Sequence, residues 1–128
     1  MMKEVENNSG DGPQVSVVIP AYNMGEYIGD AIESVLQGTL DNFELIVIDD
    51  GSTDSTASVV KRYTDPSSEL YDSRVRYEWQ KNQGKSAAVN FGFTLATGEY
   101  VTILDADDEF TSNSLKKRIQ MRYSPEGN

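Results

Sequence analysis

Residues 43–56, FELIVIDDGSTDST, run from a near-continuous apolar segment into two carboxylates, a glycine and a set of hydroxyls. A short run rich in Ile, Leu and Val suits a strand covered on both faces. Ser52 or Thr53 is then placed to cap a helix, and Lys61 and Arg62 fall in its last turn, where the helix dipole favours cations. The stretch therefore reads as strand, acidic loop, helix. On its own, DDGSTD is no more than a tight turn leading to a helix cap.

The same alternation continues on either side. VSVVI (15–19) is an apolar run closed by Pro20. A helix pattern follows, with Ile28, Ala31, Ile32, Val35 and Leu36 on one stripe and Gly38 at its end. After the DDGSTD helix, a loop around Asp65-Pro66-Ser67-Ser68 leads to VRYEW (75–79). There Val75, Tyr77 and Trp79 alternate with Arg76 and Glu78, as in a half-exposed edge strand. Residues 84–96 form a third helix pattern with Ala88, Phe91 and Leu95 inward and Gly98 beyond it. YVTIL (100–104) is a fourth strand, and a last helix is expected from near Ser112. Four strands joined by helical crossovers predict a mainly parallel sheet in a three-layer, Rossmann-like α/β/α sandwich. The expected organisation is a flexible arm over residues 1–14, a single unit over 15–122 and a tail over 123–128.

Composition excludes several chemistries. The 128 residues contain no histidine and no cysteine, so a Ser-His-Asp triad, a His-ligated zinc site and disulfides are impossible. A net charge of −10 argues against a nucleic-acid surface. The longest apolar runs fall far short of the ~20 residues that span a bilayer, and the first 14 residues lack a signal-peptide core. The expected location is cytoplasmic, with the inner face of a membrane as the alternative.

In a parallel sheet, the loops that follow the strands all emerge on one edge, where ligands bind. Those loops hold Pro20-Ala21-Tyr22-Asn23, Asp49-Asp50-Gly51-Ser52, Asn82-Gln83-Gly84-Lys85 and Asp105-Ala106-Asp107-Asp108. The opposite edge holds Gly38, Thr39, Asp41, Asn42, Thr97 and Gly98, which is turn chemistry. Polar groups able to bind an anionic ligand and a cation gather on one side. Lys85 lies in the first turn of its helix, where a cation opposes the dipole. It is expected to face a phosphate or one of the loop carboxylates. An Asp-x-Asp after an apolar run is common by itself, because aspartate readily caps turns. If the chain stays extended there, Asp105 and Asp107 face one way and Asp108, suited to orientation or capping, the other.

VSVVIPAYN, ELIVIDDGSTDST and NQGKSAAVNFGFTLATGEYVTILDADD, in this order and spacing, closely resemble the family-two glycosyltransferases of the GT-A fold. The likeness covers about residues 14–115. It implies a domain that holds a nucleotide-diphospho-sugar at the carboxyl edge, with a UDP-sugar favoured. It further implies that Ala21, Tyr22, Asn23 and Asp50 contact the base and that Asp49 is structural. Asp105 would reach the ribose or sugar, Asp107 would ligate a divalent cation on the diphosphate, and Lys85 would contact the nucleotide or its phosphates. Mn²⁺ or Mg²⁺ suits such oxygen ligands.

Members of that family continue beyond the Asp-x-Asp into a half that binds the acceptor and carries a general base. Here about 18 residues follow Phe110 and no base is identified. The expectation is the donor-binding part of an inverting glycosyltransferase with a glycan, lipid or protein acceptor, not competent for transfer alone and prone to self-association. A non-catalytic nucleotide-sugar-binding module is the alternative. A receiver-type signalling domain fits less well, since its acidic pair would follow strand one and here the pair follows strand two.

Overall fold

The computed structural model describes residues 12–38 and 41–108. Four strands and three helices alternate: β1 (Val15–Ala21), α1 (Ile28–Leu36), β2 (Phe43–Asp50), α2 (Thr56–Thr64), β3 (Val75–Gln80), α3 (Lys85–Leu95) and β4 (Tyr100–Ile103). The sheet order is β3-β2-β1-β4 and every pairing is parallel. The expected α/β/α sandwich is thus observed.

Strand alternation divides the core between the two faces. Val15, Val17, Ile19, Leu45 and Val47 pack with Ile28, Ile32, Val35, Val60 and Tyr63 from α1 and α2. Val18, Ile46 and Ile48 pack with Ala88 and Ala96, and with Phe91 and Leu95, on the α3 side. Two successive crossovers carry the chain outward from β1 to β3 over one face. The third returns it past β1 to β4, and constant crossover handedness then requires α3 to lie on the opposite face. The chain therefore changes direction between β1 and β4. A crevice opens at the carboxyl ends of such a pair.

Several expectations change in detail. Helix α2 starts at Thr56, with Ser55 in the cap position, rather than directly after Ser52 or Thr53. Asp54 accepts the Thr56 amide at 2.9 Å and supplies the cap, while Ser52 and Thr53 bond to the neighbouring loop. β3 is the edge strand, but Trp79 is 57 % exposed rather than inward, at the strand end beside the buried Asp49. Gln14, the last residue of the arm expected over 1–14, donates to the Asn42 carbonyl and accepts from the Tyr100 amide. The helix expected near Ser112, the 123–128 tail and residues 1–11 lie outside the described residues.

The amino edge is more than turns. The Glu44 carboxylate accepts from the Ser16 hydroxyl and from the Thr97 amide and hydroxyl, and Ser16 Oγ accepts the Gly98 amide at 2.8 Å. Ser16 is fully buried. At Gly98 an added Cβ would lie 2.7 Å from the Ser16 nitrogen, so only glycine lets the α3–β4 turn approach β1 this closely.

Candidate functional site

The two carboxylates that end β2 point to opposite faces, as strand alternation dictates. Asp49 is fully buried and accepts the Ser52 amide at 2.8 Å and the Tyr77 hydroxyl at 2.6 Å. Burial together with this bond pushes the Tyr77 phenol above its ordinary range. Asp49 is a structural group that ties β2 to β3.

Asp50 organises the loop between β3 and α3. Its Oδ1 accepts from Gln80 Nε2 and the Gln83 amide, both at 2.8 Å, and its Oδ2 accepts the Gly84 amide at 3.0 Å. Burial pushes this carboxyl up, but the three donors outweigh burial and hold it below its ordinary value. Asn82 completes the connection by donating to the Asp50 carbonyl at 3.0 Å. Gly51 permits this approach: its φ is +76°, and a Cβ there would meet the Asn82 nitrogen at 2.7 Å.

The β3–α3 loop delivers Lys85 as the first residue of α3. Its ammonium lies 2.6 Å from Asp105 Oδ1, spanning from α3 to the segment after β4. That segment is not extended, so the condition under which strand alternation would pair Asp105 with Asp107 is not met. It turns, with the Asp108 amide donating to the Asp105 carbonyl at 2.9 Å. Burial of Ala106 in the α1–α2 side of the core anchors the turn and leaves Asp105 and Asp107 exposed. These two aspartates still share one space, through a turn rather than through strand alternation.

That space is a cavity of about 350 Å³ at the direction change between β1 and β4. Pro20, Ala21, Tyr22 and Met24 line it from the β1 side, and Asp50, Lys85 and Ala88 from the middle. Asp105, Ala106 and Asp107 close it from the β4 side. Six of the seven expected site residues, Ala21, Tyr22, Asp50, Lys85, Asp105 and Asp107, meet there.

Asn23 is the exception. Its side-chain carbonyl is spent on the Thr53 and Asp54 amides at 2.8 and 3.3 Å, so its side chain serves the β2–α2 loop and not the cavity. Met24 and Ala88 also line the wall; Ala88 is expected inward by helical period but as core, and an unpatterned Met after a strand gives no local signal.

Among the described residues, three carboxylates and one ammonium line the cavity. An anionic ligand entering it needs more positive charge than Lys85 supplies. Among the described residues no three acidic side chains converge to hold a metal unaided. Asp105 is engaged by Lys85, which leaves Asp107 as the carboxylate best placed to ligate. One or two carboxylates, with phosphate and water completing the shell, is how Mg²⁺ is commonly bound. The residues present fit a cation that arrives with a phosphate ligand.

The family profile described as "Glycosyl transferase family 2" matches residues 16–123. The glycosyltransferase GlyG of Streptococcus pneumoniae serotype 4 is 39 % identical over 107 residues, covering 83 % of this chain and 34 % of GlyG. S. aureus TarS, solved in complex with UDP, superposes with a TM-score of 0.71 at 28 % identity, covering 81 % of this chain and 30 % of TarS; it was also solved with UDP-GlcNAc. The Pyrobaculum calidifontis mannosyltransferase PcManGT, in complex with GDP-Man and Mn²⁺, gives a TM-score of 0.71 at 30 % identity, covering 81 % of this chain and 30 % of that one. The chain thus spans about a third of the length of GlyG, of the solved TarS 1–349 portion and of PcManGT, and 18 % of the longer TarS chain.

Proposed function

The chain belongs to glycosyl transferase family 2, and from that premise we propose that its cavity binds a nucleotide-diphospho-sugar, with a UDP-sugar preferred, for transfer with inversion to an acceptor hydroxyl. The observation that carries the reading is the convergence of Tyr22, Asp50, Lys85, Asp105 and Asp107 on one cavity at the carboxyl edge. Tyr22 and Ala21 wall the base, and Asp50 accepts from an N–H on its edge. Asp105 receives the ribose or the sugar. Lys85 exchanges its bond with Asp105 for one to the diphosphate.

A divalent cation, Mn²⁺ or Mg²⁺, would be held by Asp107 and the diphosphate. When bound it stabilises charge on the departing nucleoside diphosphate. The fit of TarS with UDP and of PcManGT with GDP-Man and Mn²⁺ supports a nucleotide-sugar ligand and a metal. The cavity carboxylates are accounted for by base, ribose and metal. None of these three is then left to activate the acceptor.

A thermal-shift panel of nucleoside diphosphates and their sugars, each with and without Mn²⁺, tests the proposal. UDP with Mn²⁺ should stabilise most; at ~100-fold excess over Kd the gain is about 2.7 kcal/mol, several degrees for a domain of this size. A larger shift with GDP would transfer the base preference to guanine. A flat response from folded protein would refute the donor site.

A further inference from the structure

Asn23 sits between two cavity residues, Tyr22 and Met24, yet does not line the cavity. Its backbone is left-handed, with φ +51°, and no other non-glycine residue among those described has positive φ. Asparagine tolerates that conformation better than most residues, but it still needs support from its surroundings. The support comes from the β2–α2 loop, some thirty residues away in sequence. The Asn23 amide donates to Ser52 Oγ at 2.9 Å, while its side-chain carbonyl accepts the Thr53 and Asp54 amides.

The next two residues are gripped in the same way. The Met24 amide donates to Thr56 Oγ1 at 3.0 Å and the Gly25 amide to Asp54 Oδ2 at 2.9 Å. Asp54 also accepts the Thr56 amide and hydroxyl, which fixes it at the start of α2. The loops are so close that a Cβ on Gly25 would fall 2.1 Å from Ser55 Oγ.

Tyr22 itself is 48 % exposed. Among the described residues no hydrogen bond or ring contact holds its side chain, so the clamp on the neighbouring backbone is what sets where the Cα–Cβ bond of Tyr22 points. We propose that Asn23, together with Ser52 and Asp54, is a positioning device that presents the Tyr22 ring to the nucleotide base without touching the ligand. This inference rests on the cavity being a nucleotide site. It reassigns the asparagine next to the tyrosine from contact to support. It also gives the DDGSTD loop a role beyond capping α2: Asp50 shapes one wall, and Ser52 to Asp54 hold the other.

The test is a double-mutant cycle on the 128-residue chain, with UDP binding in Mn²⁺ measured by calorimetry and melting temperature measured alongside. Asn23→Gly keeps the left-handed backbone accessible and removes only the acceptor. Tyr22→Ala should weaken binding about tenfold, within the range for a base stacked on an aromatic ring. Asn23→Gly should weaken it several-fold. The double variant should bind no more weakly than Tyr22→Ala, because the asparagine acts only through the tyrosine.

Losses that multiply in the double variant would mean that Asn23 meets the ligand or acts elsewhere, and would overturn the inference. So would a lowered melting temperature with unchanged UDP affinity, the signature of a purely structural clamp. If Asn23→Gly does not fold, Ser52→Ala takes its place in the cycle with the same expectation. Failure of the wild-type chain to bind UDP would overturn the reading of the cavity and this inference together, whereas binding with independent losses overturns this inference alone.

Discussion

The Lys85 ammonium stands 2.6 Å from Asp105 Oδ1, so the first turn of α3 and the turn after β4 are bridged across the cavity mouth. The side chains are 64 % and 50 % exposed, and a pair so open to water contributes about 0–1 kcal/mol to stability. Its interest is chemical: a cation is held where a diphosphate would need one, by a partner that water can replace.

Lys85→Met should therefore leave the melting temperature within a few degrees of wild type while weakening UDP binding by about tenfold or more. A hydrogen bond to a charged group is worth about 1.5–3 kcal/mol. The loss should shrink as salt rises, because the interaction is exposed to screening. Calorimetric titrations at two ionic strengths, with a melting curve, check both parts. Unchanged affinity would remove Lys85 from the site.

Asp50 gives a pH signature. Its folded pKa lies below the ordinary carboxylate value, so the stability it contributes is present above the unfolded pKa of about 4 and is lost as pH falls through the folded value. Asp50→Asn removes that dependence and leaves one of the three donors facing an amide NH₂. The variant should be less stable at pH 7, and its stability should fall less steeply than that of wild type on acidification below pH ~4. Urea unfolding across that range measures it; parallel curves for the two proteins would contradict the assignment.

The Glu44 carboxylate closes the other end of the sheet. Glu44→Ala leaves the buried Ser16 hydroxyl and the Thr97 donors without their acceptor, which should cost about 1–3 kcal/mol. Ser16→Ala should couple to it, since both act on the α3–β4 turn. Urea midpoints of the single and double variants test this, and strict additivity would show the two groups to be independent.

The core of the fold was legible because its signals are local. VSVVI and FELIVI are short β-branched runs that suit a doubly covered strand, and the Ile28–Val35 stripe has helical period. The sheet edge that gathers the site followed from parallel topology alone. What sequence reasoning missed depends on contacts between distant segments. The start of α2 was misplaced because Ser52 and Thr53, both good caps by type, are used by Asn23 from another loop. Parallel topology puts Asp105 and Asp107 on the carboxyl edge, but the turn that brings them to one cavity, with Ala106 buried, is a tertiary feature that strand alternation does not encode. Trp79 fits the alternation of its strand yet is exposed on this edge strand, which periodicity does not encode.

In the proposed site Asp107 and a diphosphate would share a divalent cation. Calorimetric titration of UDP into the wild-type chain and into Asp107→Asn, each in Mn²⁺ and in chelator, tests it most directly. Binding by the wild type should tighten strongly with Mn²⁺, and binding by Asp107→Asn should be weak and indifferent to the metal, with both proteins melting at similar temperatures. Mn²⁺-dependent binding of UDP by Asp107→Asn equal to that of wild type would contradict it.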